Sequence, residues 1–218
     1  MAPRAESTQP LTRERVLEAA AEVFSQKGFQ AATVREICSA AGANLAAVNY
    51  HFRDKVSLYH AALEHVLAQG FHEFPFDLGL GPRPTPRDRL RAFVRSFMLR
   101  MLSRRGWGQG QNQMILRELV QQSPVLDHFV ERFARPMRDA LQSIIRDLLG
   151  AGASDEAVRG CTLSVVGQCL HYTYARPIMQ RLGINPVARD EEIERVADHI
   201  TRFSLGGIQA VRPGRRKS

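Results

Sequence analysis

Apolar residues recur at three- and four-residue intervals along nearly every long segment, and no segment alternates β-branched and polar residues as a sheet strand would. This pattern predicts an all-α chain. A first helix should run from Thr12 to about Gln26, with Leu17, Ala20 and Phe24 on one stripe and Gly28 placed to end it. Thr33-Val34-Arg35-Glu36 fits the S/T-x-x-E capping box and should open a short helix with Val34, Ile37, Cys38 and Ala41 on its apolar side. Gly42 interrupts it, Asn44 can cap a third helix to about Phe52, and Asp54 a fourth from Lys55 onward. Pro75, Gly79, Gly81, Pro82, Pro84 and Pro86 then exclude a regular helix, which puts a domain boundary within 70–86. Further helices are expected at about 87–104, 107–122, 125–149, 154–182 and 190–206, with Pro136 and Pro177 kinking or interrupting two of them. The organisation read from this pattern has four parts. They are a loose leader over 1–10, an N-terminal domain over 11–70, a larger helical domain over 87–207 and a basic tail over 208–218.

Composition narrows the function classes. With 218 residues, 44% hydrophobic and 24% charged, the chain suits one or two globular domains and not a disordered or disulfide-stapled one. It holds no run of about 18 apolar residues, so no membrane partner is expected, and the first seven residues show no signal-peptide core. The three cysteines, Cys38, Cys161 and Cys169, lack zinc-type spacing and fit a reducing cytoplasm. A net charge of +8 suggests a polyanion among the partners. The charge is unevenly placed, however: residues 1–60 are nearly balanced, whereas 83–105 carry eight arginines against Asp88 alone. Charge by itself therefore cannot locate a nucleic-acid surface.

The stretch from Thr33 to Phe52 can. A capped helix, a tight turn at Gly42 and a second helix of about two turns make a helix-turn-helix, in which Ala40 and Ala41 let the helices approach. Val48 and Phe52 pin the second helix to the core, which leaves Asn44, Leu45, Ala46, Asn49, Tyr50 and His51 facing out. Small residues permit close approach to a groove, while Asn, Tyr and His can read base edges or hold phosphates. Thr33, Val34 and Arg35 at the start of the first motif helix, and Lys55 after the second, are candidates for phosphate contacts.

These residues carry a family resemblance. The run from Gly28-Phe29 through Ala32-Thr33-Val34-Arg35-Glu36-Ile37, then Ala40-Ala41-Gly42-Ala43-Asn44, then Tyr50-His51-Phe52-Arg53-Asp54-Lys55 with Leu58-Tyr59, resembles the TetR family of bacterial transcriptional regulators. Ile115 to Leu126, Leu163 to Pro177 and Ala197 to Gly207 resemble the CecR-type branch of that family. Leu45 stands where many members carry a basic residue, and Val56-Ser57 where a glutamate is commoner. The resemblance implies a homodimer on double-stranded operator DNA, with a C-terminal domain that senses a small-molecule effector and relieves repression. Two other readings stay open: a constitutive DNA-binding dimer whose distal domain binds protein partners, and a helical scaffold with no DNA role.

In the distal half, Gly160, Ser164 and Gly167 lie on one face with small-residue spacing, which suits a close helix–helix seam. The helices at 154–182 and 190–206 are therefore assigned to the dimer interface, with packing inside one subunit as the alternative. Phe97, Met101, Trp107, Gln111, Met114, Arg117, Gln168, His171 and Tyr174 are candidate effector contacts, because aromatic, Met and polar residues alternate on adjoining helices. Arg117-Glu118 could instead be an internal ion pair. Arg87, Arg91 and Arg95 step along one face and Arg100 and Arg104 along another, read as a solvated face or as an anion contact. No catalytic triad, phosphate loop or metal-ligand spacing appears in the sequence, so neither enzyme activity, cofactor nor metal is expected.

Overall fold

The computed structural model describes residues 13–103, 105–121, 124–184, 187 and 189–212. The leader 1–10, Arg104 and most of the basic tail lie outside them. Every element among the described residues is helical: α1 (Arg13–Ala31), α2 (Val34–Ala41), α3 (Leu45–His51), α4 (Lys55–Glu73), α5 (Pro86–Leu102), α6 (Gly108–Gln121), α7 (Pro124–Phe129), α8 (Arg135–Leu149), α9 (Asp155–Tyr174), α10 (Arg176–Arg181) and α11 (Asp190–Ala210). A π-helical turn over Val130–Ala134 joins α7 to α8. None of the described helices is long and apolar enough to cross a membrane.

Local chemistry sets most boundaries. The Thr33 hydroxyl accepts the Glu36 N–H at 3.2 Å while the Glu36 carboxylate accepts the Thr33 N–H at 2.9 Å, which completes the capping box of α2. Gly42 closes that helix in the left-handed conformation, φ 62° and ψ 36°. Asn44 and Asp54 cap α3 and α4, each accepting a backbone N–H at 2.7 Å. Pro136 and Pro177 differ. Pro177 sits in the first turn of a new helix, α10, where a proline's missing N–H costs nothing, whereas Pro136 follows directly on the π-helical turn in a backbone that stays helical from α7 into α8. α11 runs to Ala210, so residues 208–210 are helical and not part of a tail; Ile208 is buried there and holds the last turn down.

α1 packs on α2 and α4, and α6 lies against α1, α4 and α5. α5 is the centre of the distal half, covered by α8, α9 and α11, and Leu90, Phe93, Val94, Phe97 and Met98 are buried along it. The arginine stripe divides here: Arg87 and Arg91 are exposed as a solvated face should be, Arg95 is half-buried, and Arg100 is buried, which corrects that reading for Arg100. Arg91 reaches Asp198 at 2.7 Å and Arg95 reaches Glu194 at 2.6 Å, both on α11, while Arg89 reaches Asp147 on α8 at 2.5 Å. Arg100 is only 1% exposed. Its guanidinium lies 4.4 Å from the Phe71 ring centroid and 5.0 Å from that of Phe76, and donates to the Phe74 carbonyl and, at 2.6 Å, to Ser96 Oγ. Burial pulls its pKa down to about 9, which still leaves it charged near neutrality.

Candidate functional site

The turn at Gly42 and the two short helices around it present one outward face. Val48 and Phe52 are buried, so α3 cannot rotate without exposing them. Asn44, Leu45, Ala46, Asn49, Tyr50 and His51 are all exposed, Tyr50 to 86%. The Tyr50 and His51 rings meet edge to face at 5.3 Å, an arrangement that stiffens both side chains without hiding them. Of the two alanines expected to admit α3, Ala41 is buried and Ala40 is exposed, so the close approach falls at Ala41. Arg15 donates to the Ala41 carbonyl at 3.0 Å and ties the turn to α1.

The phosphate candidates divide. Arg35 and Thr33 are exposed and Val34 is partly so. Yet the Thr33 hydroxyl also donates to Glu36 at 3.0 Å, so its hydrogen-bonding capacity is engaged within the capping box. Lys27 at 2.7 Å and the Thr33 groups hold the Glu36 carboxyl near a pKa of about 2. Lys55 lies 4.7 Å from the Phe29 ring centroid and donates to the Gln30 carbonyl at 3.3 Å, which fastens α4 to the end of α1. Arg53 is exposed beside α3 and has no ion-pair partner among the described residues; only its position after the motif could have marked it.

The nine distal candidates do not line one cavity. Phe97, Met101, Trp107 and Met114 are buried, because α5 and α6 are covered on several sides and their aromatic and Met residues fill the core. Trp107 lies against Gly70, where a Cβ would strike the indole. Arg117 lies over Gly28, Gln111 is partly exposed, and His171 is exposed. Gln168 donates to Ser204 on α11 at 3.2 Å. Only Met101 and Tyr174 meet at a cavity of about 240 Å³ where α5, α6, α9 and α10 converge. Its other walls include Leu102, Asn112, Leu116, Thr173 and Arg176, none of them singled out from the sequence because four separate segments supply them.

α6 stands between that cavity and the N-terminal helices. Asn112 and Leu116 face the cavity, while Gly110 lets α6 approach Ser25 so closely that a Cβ would lie 2.9 Å from Ser25 Cβ. Glu118 is buried and accepts a hydrogen bond from the Tyr59 hydroxyl at 2.8 Å. Burial and this carboxylate push the Tyr59 pKa up. Arg117 meets Gly28, whose φ of 77° interrupts α1.

On the opposite side, Gly160, Ser164 and Gly167 are exposed along α9. A Cβ on Gly160, Gly167, Gly206 or Gly207 would meet nothing within 4 Å, so these glycines do not serve packing inside the chain. Leu163 is 73% and Phe203 66% exposed on the same two helices, α9 and α11. Cys161 and Cys169 are buried thiols, and burial pushes Cys169 up to about 12.

Comparison with known proteins agrees with this architecture. Residues 16–62 match the family model described as bacterial regulatory proteins, tetR family. Residues 86–208, more than half the chain, match the C-terminal domain of the HTH-type transcriptional dual regulator CecR. A probable HTH-type transcriptional regulator of Bacillus subtilis, YttP, is 37% identical over 62 residues, 28% of this chain and 28% of its own length. The match thus spans little more than a quarter of that curated relative. The fold matches a putative transcriptional regulator from Pseudomonas aeruginosa PAO1 with a TM-score of 0.67, at 18% identity over 92% of this chain and 93% of that one. It also matches the transcriptional regulator FadR of Bacillus subtilis, solved with stearoyl-CoA, with a TM-score of 0.66 at 14% identity over 90% and 99% of the two chains. With the helix-turn-helix at one end and the matched helical domain over most of the remainder, the chain belongs to the TetR family of bacterial transcriptional regulators, with a C-terminal domain of the CecR type.

Proposed function

We propose that the protein is a dimeric repressor whose hold on its operator is controlled by a small-molecule effector. The observation that carries this reading is the face of α3, where Asn49, Tyr50 and His51 stand exposed on a helix pinned from behind by Val48 and Phe52. Such a helix enters the major groove of double-stranded DNA, and its polar groups read base edges.

One module contacts few base pairs, so specific binding needs two. The exposed glycines and apolar side chains of α9 and α11 supply a self-complementary surface for a second copy, with Gly160, Ser164 and Gly167 at its centre. Two-fold symmetry then calls for a roughly palindromic operator with half-sites about one 34 Å helical turn apart, or a multiple of it. The effector acts from the cavity behind α6. A ligand that displaces Asn112 and Leu116 bears on the same helix that touches Ser25, Gly28 and Tyr59. It shifts the DNA domain only as far as it prefers one arrangement over the other. FadR, a structural neighbour, was solved in complex with stearoyl-CoA, which supports a ligand-responsive reading of this fold.

Fluorescence anisotropy tests the reading, using the DNA flanking the protein's own gene and a shuffled duplex of the same composition at physiological salt. Preference for the first by about a thousandfold, cut by about fivefold to a hundredfold in Tyr50→Ala, is the expected outcome. If selection from a random duplex pool also yields no preferred sequence, the reading is wrong.

A further inference from the structure

The cavity at the meeting of α5, α6, α9 and α10 contains two polar groups with nothing to bond. Thr173 Oγ1 and Arg176 Nε are both buried and have no hydrogen-bond partner among the described residues. Thr173 is 9% exposed, and Arg176, half-buried at the start of α10, has no ion pair among those residues. Folded proteins leave few buried polar atoms unsatisfied, since each gives up its hydrogen bonds to water without replacement, at a greater cost when charged. Arg91, Arg95 and Arg89 in this half have carboxylates, and Arg100 has aromatic rings, a carbonyl and a hydroxyl, although its Nη2 has no partner among the described residues. Arg176 has no such set of partners among those residues, and it lines a cavity.

The walls specify the complement. A guanidinium only donates and carries a full positive charge, and a threonine hydroxyl can donate beside it. Met101, Leu102, Leu116 and Tyr174 supply apolar surface, and no Asp or Glu among the described residues lines the space. We infer that this cavity is a binding site for a small monocarboxylate, with Arg176 and Thr173 holding the carboxylate and the Met101, Leu102, Leu116 and Tyr174 side chains enclosing an apolar body. A single guanidinium balances one negative charge, which favours a carboxylate over a dianionic phosphate. At about 240 Å³ the cavity lies below the roughly 300–1,000 Å³ typical of drug-sized ligands, so the body is short. A lone water would satisfy a donor but leave the charge unbalanced. The inference deepens the effector reading above and depends on it only for the regulatory consequence.

The test uses the full-length protein in a carboxylate-free buffer. Propionate, hexanoate, benzoate and phenylacetate, each beside its neutral amide, are titrated by calorimetry and by thermal shift. At least one acid should bind and raise Tm while its amide binds far more weakly. Arg176→Gln should weaken that acid by about tenfold to a hundredfold, the weight of a charge-assisted hydrogen bond. Thr173→Val, nearly the same shape, should weaken it about two- to tenfold and keeps the test valid if the arginine variant fails to fold. The inference is overturned if no acid binds, if acids and amides bind alike, or if both variants bind as the wild type does. Operator affinity is then measured with the binding acid present. Binding without release of DNA would uphold the site and refute its role as the effector site.

Discussion

The face of α3 and the face of α9 and α11 are both exposed, yet they expose different chemistry. On α3 the groups are amide, phenol and imidazole, which water satisfies in the free protein and base edges or phosphates can satisfy in a complex. On α9 and α11 they are Leu163, Phe203 and a row of glycines, which water does not satisfy and which fit another helical surface. The first surface can stand open between binding events. The second is the one we propose a second copy covers. In the proposed dimer, specificity and assembly are thus separated along the chain, and α6 lies between them.

Substitutions can break that contrast in a graded way. The largest effect is expected on the apolar face. Leu163→Glu with Phe203→Asp puts charges where a partner's apolar surface should lie, so sedimentation should show monomers and operator affinity should fall by about thirtyfold or more. If the double variant sediments as the wild type does, the interface lies elsewhere. On the polar face, Tyr50→Ala should cost about 1–3 kcal/mol in operator binding while leaving Tm almost unchanged, because the side chain is 86% exposed. A matching drop in Tm would mean the ring holds α3 in place and does not read DNA.

Between the two faces, Gly28→Ala tests the junction with α6. The position combines φ 77° with a guanidinium where the Cβ would go, so a loss of stability above about 1 kcal/mol is expected in denaturant melts. Adding Arg117→Ala should restore part of it by removing the clash but not the strained backbone. A smaller change is expected at Arg95→Ala, about 0.2–1 kcal/mol, fading in part in 1 M salt because the ion pair is only half-buried. The smallest concerns acid. Glu36 is lowered from 4.5 to about 2, so its support of α2 is complete above the ordinary carboxylate value and disappears as pH falls through about 2. An NMR titration of the Glu36 carboxyl reads this directly, and a midpoint near 4.5 would mean that the Lys27 and Thr33 contacts do not persist in solution.

What was legible in the sequence was local. The caps at Thr33, Asn44 and Asp54, the turn at Gly42 and the buried pair Val48 and Phe52 each involve residues within about one turn of one another, so their spacing already implies the geometry. The all-α class and the exposed row on α3 follow from the same short-range periodicity. The distal cavity was not legible. Met101 and Tyr174 were marked by type alone, while Thr173, Arg176 and Leu116 gain meaning only from four segments converging.

By itself the sequence determined which segments are helices, how the short ones are capped and which residues a two-turn helix must turn outward, since a helix of that length has one anchored side. Only the tertiary structure decided what the long helices do with their charges and glycines. Arg91 meets Asp198 across 107 residues of chain and Arg95 meets Glu194 across 99, and no periodicity along α5 distinguishes them from Arg100, which is buried among phenylalanines. A side chain's partner on a neighbouring helix depends on how helices cross, and that is set by the whole packed core and not by the turn in which the residue sits.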